Sequence, residues 1–234
     1  MSLLDLQEIP RRTMTLFFLV DKSGSMQGSK IASVNDAIRN IIPVLRDISD
    51  NNTDAEIKIA TLEFASDCQW MYGEPQSLGD FRWLDIRADG WTAMGEACLE
   101  LNAKLSTHGF MKSPSASYAP VVILLSDGAP TDDFRNGMMA LNQNNWFKHA
   151  IRIAIAIGND ANYDVLREFT GNPEAIYEAY NTDALKSIIR IAAVTSSQIG
   201  SRSSNTGGAT KQEQVIQEIN QQLETTETSD AEEW

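Results

Sequence analysis

Histidine and cysteine are scarce in this chain, two of each among 234 residues, and neither pair is close in sequence. Cys68 and Cys98 form no CxxC motif and have no histidine beside them, which excludes the usual zinc-ligand spacings and a disulfide framework. Both are expected to be small buried apolar groups, and free thiols suit a reducing, cytoplasmic compartment. His108 and His149 lack the Asp, Glu or Ser arrangement of a catalytic relay, so neither is given a role. Long apolar runs are missing as well, since no stretch approaches the roughly 20 residues that span a bilayer. Met14–Val20 follows Arg11-Arg12 in the manner of a signal peptide, yet Asp21 and Lys22 end it early and no small-residue cleavage site follows. It reads as a buried strand. Positive charge is also in short supply, 19 Lys plus Arg against 32 Asp plus Glu, and the formal charge of −13 argues against nucleic acid or anionic lipid as a partner.

What the chain does have is 42% hydrophobic residues, enough for a real core. Short apolar runs alternate with longer amphipathic stretches, the pattern of a parallel sheet covered by helices on both faces. Strands are expected at Met14–Val20, Glu56–Phe64, near Cys68–Met71, Val121–Leu125, Ile151–Ile157 and Ala175–Ala179. Helices are expected at Lys30–Ile48, Met94–Leu105, Phe134–Phe147, Tyr163–Phe169 and Asp183–Val194, with Thr131 as an N-cap ahead of the first-turn acids Asp132 and Asp133. Trp70, Met71 and Tyr72 read as an edge-strand cluster facing the core. Residues 1–12 form an N-terminal extension, 13–196 the domain, and 197–234 a Ser/Gly-rich linker, including Ser203–Gly208, with an acidic tail through Glu232 and Glu233. In that tail Val215, Ile216, Ile219 and Leu223 share one helical stripe too short to hold a helix alone in water. It is expected either to stay disordered or to fold on a partner or back on the domain.

Two apolar strands end in aspartate: Leu16–Val20 runs into Asp21, and Val121–Leu125 runs through Ser126 into Asp127. In a doubly wound sheet the crevice lies outside the carboxyl ends of the strands where strand order reverses, so both carboxylates should meet there. Asp21 opens Asp21-Lys22-Ser23-Gly24-Ser25-Met26, in which alternate side chains present a carboxylate and two hydroxyls. Hard oxygens of this kind suit Mg²⁺, Mn²⁺ or Ca²⁺.

Asp-x-Ser-x-Ser is the metal-ion-dependent adhesion site (MIDAS) motif of von Willebrand factor A domains, and residues 13–196 resemble that family. The family's third loop resembles Asp89-Gly90-Trp91-Thr92-Ala93-Met94-Gly95-Glu96-Ala97, and its Asp-Gly after the fourth strand resembles Ser126-Asp127-Gly128-Ala129-Pro130-Thr131-Asp132. The resemblance implies a Rossmann-like, doubly wound, mostly parallel six-stranded sheet with helices on both faces and one antiparallel edge strand. It implies that Ser23, Ser25 and Thr92 bind one divalent cation directly, with Mg²⁺ favoured and Ca²⁺ or Mn²⁺ admissible, while Asp21 and Asp127 act through bound waters. Neutral hydroxyl ligands leave the metal's charge partly unquenched, so it accepts a carboxylate from a partner protein. Trp91 stands where many members of the family have glycine, and either anchors the partner together with Lys22 or plugs a local gap. Within the family the chain looks most like small bacterial tellurite-resistance TerY-type proteins. That likeness implies a non-enzymatic, cytoplasmic stress-response module whose partner is a kinase or a metal-dependent protein phosphatase.

Blander readings exist for each residue. Asp21, Ser23 and Ser25 can form a turn that caps the helix near Gly28, Thr92 can cap the helix at Met94, and Asp127 can accept backbone hydrogens in the turn through Gly128. A metal-dependent phosphohydrolase of the haloacid dehalogenase type also places an aspartate after its first strand, but it needs a second carboxyl two residues on, where this chain has Ser23. A metal-independent scaffold is the remaining alternative.

Overall fold

The computed structural model describes residues 11–158, 161–202 and 208–231. Most of the N-terminal extension, most of the Ser203–Gly208 linker, and Glu232 and Glu233 lie outside the described residues. A central strand β1 (Arg12–Asp21) pairs in parallel with β2 (Ala55–Phe64) on one side and β5 (Val121–Ser126) on the other. β6 (Ile151–Ile157) and β7 (Ile176–Ala179) extend the parallel sheet beyond β5, and β3 (Cys68–Trp70) closes the far edge antiparallel to β2. The order β3-β2-β1-β5-β6-β7 is the doubly wound sheet that the sequence pattern predicts. A two-residue strand β4 (Gln76–Ser77), too short to leave a periodic signal, also pairs with β2 and makes the sheet seven-stranded.

β1 shows why the run Met14–Val20 is apolar throughout. Met14, Leu16, Phe18 and Val20 point to one face and Phe17 and Leu19 to the other, and both faces are covered. Helices α1 (Ser29–Asp50) and α6 (Thr182–Gly200) pack on the first face. Helices α2 (Met94–Lys104), α3 (Phe134–Gln143), α4 (Asn145–His149) and α5 (Tyr163–Thr170) pack on the second. The single helix expected at Phe134–Phe147 is instead two. Asn144 sits between them with extended backbone, its side chain accepting from Trp146 N at 2.8 Å and donating to Asn102 Oδ1 at 2.9 Å. A side chain that bonds the backbone locally competes with the helical ladder, and here it wins. The edge cluster is only half-buried. Trp70 packs edge-on against Phe110 with ring centroids 4.8 Å apart, while Met71 and Tyr72 lie against the core of the other face. Cys98 is buried on α2, and the half-buried Cys68 has its thiol pushed up to about 12, chiefly by burial, so both stay protonated at neutral pH.

The tail stripe folds back on the domain. Helix α7 (Lys211–Ala231) buries Val215 and Ile219 in the core of the α1–α6 side, with Leu223 partly buried against it, and Ile216 is buried as well. Two polar clamps fix its start. Lys211 Nζ donates to the carbonyls of Gly200 and Arg202, each at 2.7 Å, satisfying the carboxyl end of α6. The Gln212 amide pairs with both backbone groups of Arg152 on β6, at 2.7 and 2.8 Å. A helix too weak to stand alone is therefore held by tertiary contact. Replacing the fully buried Ile219 by alanine is expected to lower folding stability by about 2–4 kcal/mol in a chemical denaturation experiment; a change below about 0.5 kcal/mol would mean that α7 is not docked in solution.

Candidate functional site

Asp21 is the last residue of β1, and β5 runs beside it with Val20 opposite Leu125, so Asp127 follows directly on the neighbouring strand end. Strand order reverses here, β2 lying to one side of β1 and β5 to the other, and the two carboxylates meet at that switch point. Both are almost fully buried. Asp21 accepts from the Ser23 backbone N–H at 2.8 Å and from the Ser126 hydroxyl at 2.6 Å. The turn reading of Asp21 is thus correct as far as it goes, but these residues do not cap α1. That helix starts at Ser29, and its N-cap residue, Gly28, supplies no side-chain cap.

Three loops are tied into one rim by backbone bonds. Lys22 N donates to Phe64 O at 2.8 Å, Asp89 N to Lys22 O at 2.7 Å, and Gly24 N to Gly90 O at 3.0 Å. Gly90 has φ of +87°, and a β-carbon there would sit 2.5 Å from Ser66 Oγ, so only glycine allows this approach. Thr92 is joined to the loop after β5 through its carbonyl, which accepts from Thr131 N at 2.9 Å, and its own N–H, which donates to Thr131 Oγ1 at 3.1 Å. Thr131 therefore fastens loops together, and Asp133 is the actual N-cap of α3. Asp132 accepts from Gly95 N and Glu96 N at 2.9 and 2.8 Å, so it serves the start of α2. The Thr92 hydroxyl makes no capping bond to that helix, whose N-cap position is Ala93.

The oxygens converge on one point. A β-carbon placed on Gly128 would lie 3.6 Å from Thr92 Oγ1 and 3.8 Å from both Asp21 Oδ2 and Ser25 Oγ. Ser23 Oγ is 3.1 Å from Ser25 Oγ, and the Ser25 hydroxyl donates to Asp127 Oδ1 at 2.7 Å. All five expected site residues are thus gathered, from sequence positions up to 106 apart, around a space that a bare glycine keeps open. The donor set is hard oxygen only, which fits Mg²⁺, Mn²⁺ or Ca²⁺. Among the described residues no three His, Cys, Asp or Glu side chains gather as a metal-holding group. Here the donor count is made up by hydroxyls around two carboxylates.

Two neighbours were missing from the expected set. Ser126 points its hydroxyl at Asp21, and Lys30, in the first turn of α1, places its ammonium on Asp127 Oδ2. Lys30 left a signal in the sequence, because a cation at a helix N-terminus opposes the helix dipole and calls for a local anion. Lys22 is 3.5 Å from Glu63 and 4.0 Å from Asp67, with a side chain only 18% exposed. Trp91 is 72% exposed and fills no gap.

Burial pushes the Asp21 carboxyl above its ordinary value of 3.8, against the lowering effect of the Ser126 and Ser23 hydrogen bonds, and the charge of Asp127 adds to the rise. The folded chain therefore holds this proton more tightly than the unfolded chain. Stability falls as pH rises from 3.8 through the raised value, and below 3.8 the penalty is absent.

The chain belongs to the von Willebrand factor type A domain family, whose model matches residues 15–191. Mouse inter-alpha-trypsin inhibitor heavy chain 4 is 28% identical over 191 residues, a match covering 74% of this chain and 19% of that protein. Proximal thread matrix protein 1 from the mussel byssus, in a structure with zinc in its MIDAS motif, superposes with a TM-score of 0.61 at 14% identity, covering 77% of this chain and 47% of that one. The pilus adhesin SpaC from Lactobacillus rhamnosus GG, in its open conformation, gives a TM-score of 0.62 at 14% identity, covering 78% of this chain and 30% of that one. These two structures share the fold. Asp21→Asn removes one of two crowded buried charges, and it is expected to raise the metal-free melting temperature by roughly 2–4 °C, the shift that about 1 kcal/mol makes in a domain of this size. It is also expected to abolish any further rise on adding Mg²⁺; a lower metal-free melting temperature would show that the carboxylate is net stabilising.

Proposed function

We propose that this chain is a non-catalytic interaction module that uses one divalent cation, Mg²⁺ in the cell, to grip an Asp or Glu side chain of a partner protein. Ser23, Ser25 and Thr92 hold the ion directly, and Asp21 and Asp127 hold it through water. The observation that carries this reading is the convergence of two buried carboxylates and three hydroxyls from three tied loops around the space beside Gly128. When bound, the ion supplies a positive centre whose charge the neutral hydroxyls leave partly unquenched, which suits capture of an outside carboxylate. The family is typically an adhesion or protein-interaction module, and that is consistent with this role. Trp91, projecting from the loop that carries Thr92, is the aromatic anchor beside the acid, while Lys22 is taken up by Glu63 and Asp67.

The biological setting rests on the sequence resemblance to TerY-type proteins: a cytoplasmic, bacterial tellurite-resistance or stress-response system, with a kinase or metal-dependent protein phosphatase as the partner. Neither nucleic acid nor membrane is a partner in this reading. It draws on the net charge of −13. A haloacid dehalogenase-type reaction is disfavoured by Ser23, whose hydroxyl, 3.1 Å from that of Ser25, stands where a general acid would be needed.

Calorimetric titration with Mg²⁺ or Mn²⁺ is expected to show uptake of one ion, weakened at least about tenfold by Thr92→Ala, and partner capture from a native lysate is expected to be lost in chelator and restored by Mg²⁺. Capture indifferent to chelator would establish the metal-independent scaffold, and phosphatase turnover lost on Asp21→Asn would establish the enzyme.

A further inference from the structure

Lys30 is placed oddly for a surface lysine. It is the second residue of the 22-residue helix α1, where the helix dipole disfavours a cation, and no acidic residue in that first turn compensates. Its ammonium rests on Oδ2 of Asp127, whose side chain is fully buried, while Oδ1 of the same carboxylate is taken by Ser25. Both oxygens of Asp127 are therefore engaged by the chain itself. Next to this pair lies a cavity of about 350 Å³, lined by Lys30 together with Ser29, Ser33, Tyr180, Asn181 and Thr182. Its wall is tied across from α1 to α6 by the Ser33 and Thr182 hydroxyls, 3.0 Å apart, and Tyr180 stands 61% exposed at its edge.

We propose that Lys30 is a built-in counter-cation for Asp127, which the divalent ion displaces into this adjoining cavity, so that metal loading turns the cavity into a positively charged subsite for the partner's acidic segment. The inference rests on the metal-dependent reading above and deepens it. The charge balance shows what Lys30 does. Counting only Asp21, Asp127 and Lys30, each at full charge, the three groups sum to one net negative charge, and the two carboxylates without Lys30 to two. Adding a divalent ion brings the site to one net positive charge with Lys30 present, but only to neutrality without it. Lys30 thus weakens the hold on the metal through repulsion at short range, and in return leaves a loaded site that attracts carboxylates strongly. In the metal-free protein the same ammonium keeps two buried carboxylates from facing each other uncompensated. Tyr180, exposed at the cavity edge, is the aromatic contact for that acidic segment.

Mn²⁺ alone is the probe, titrated calorimetrically into the full chain and into Lys30→Met and Lys30→Arg. Lys30→Met is expected to bind Mn²⁺ at least about tenfold more tightly than the wild type, with Lys30→Arg within about threefold of it. Unchanged or weaker binding by a folded Lys30→Met, beside a wild type that binds one ion, would overturn this inference and leave the functional reading standing. No uptake by either would overturn both, and uptake by Lys30→Met alone would support the competition. A second measurement needs no variant. Amine acetylation at Lys30 in the wild-type chain, followed by mass spectrometry, is expected to rise severalfold on adding Mg²⁺ as the ammonium leaves Asp127 for the open cavity; constant or reduced labelling would contradict the displacement.

Discussion

Two carboxylates, Asp21 and Asp127, are buried side by side at the ends of adjacent parallel strands, and the surrounding structure is arranged around that electrostatic burden. A buried carboxylate without partners is costly, and two of them repel. The chain offsets this locally, with the Ser126 hydroxyl and Ser23 N–H on Asp21, and the Ser25 hydroxyl and Lys30 ammonium on Asp127. The offset is incomplete at Asp21, whose carboxyl still sits above its ordinary value. A site that holds negative charge under strain in the absence of a cation is one that a cation relieves. On the metal-dependent reading proposed above, metal affinity and metal-free instability are two expressions of one arrangement.

The rest of the fold presents that pair and keeps the space beside it open. β1 is buried on both faces, so its end is fixed from above and below, and the sheet register leaves little freedom to Asp21 relative to Asp127. The loop carrying Thr92 is fastened to the neighbouring loops at Gly90, Trp91, Thr92 and Ala93, and Asp132 serves the first turn of α2 so that Thr92 need not. Rigid scaffolding of this kind supports a binding geometry better than a mobile loop would. At the opposite end of α6 the tail helix α7 locks down the carboxyl terminus through Lys211, adding apolar cover that the sheet and its six other helices do not supply.

Much of this was legible in the sequence, and what was not has physical reasons. The strand ends at Asp21 and Asp127 could be read because fully buried parallel strands are apolar without interruption, and a charge then marks their limit. Asp21, Ser23, Ser25 and Asp127 could be grouped from the two strand ends and the Asp-x-Ser-x-Ser run, whereas Thr92 was named only through the resemblance to the family, because nothing local ties a threonine 65 or more residues away to that run. The break at Asn144 was hidden, since one side chain's choice between solvent and its own backbone leaves no periodicity to read. Docking of the Val215–Leu223 stripe could not be chosen over disorder, because the decision depends on surface supplied by α6 and β6. Lys30 was passed over for a different reason: a lysine in a first turn is unfavourable only by a fraction of a kcal/mol, and its meaning becomes visible only beside Asp127.

A crystal of the chain soaked in Mn²⁺ and measured at an energy where manganese scatters anomalously tests the central claim most directly. The account predicts one anomalous peak beside Gly128, with the hydroxyl oxygens of Ser23, Ser25 and Thr92 in direct contact at about 2.0–2.3 Å, and Asp21 and Asp127 bonded to its waters. A peak anywhere else, or a loaded site from which the Thr92 hydroxyl is turned away, would contradict it.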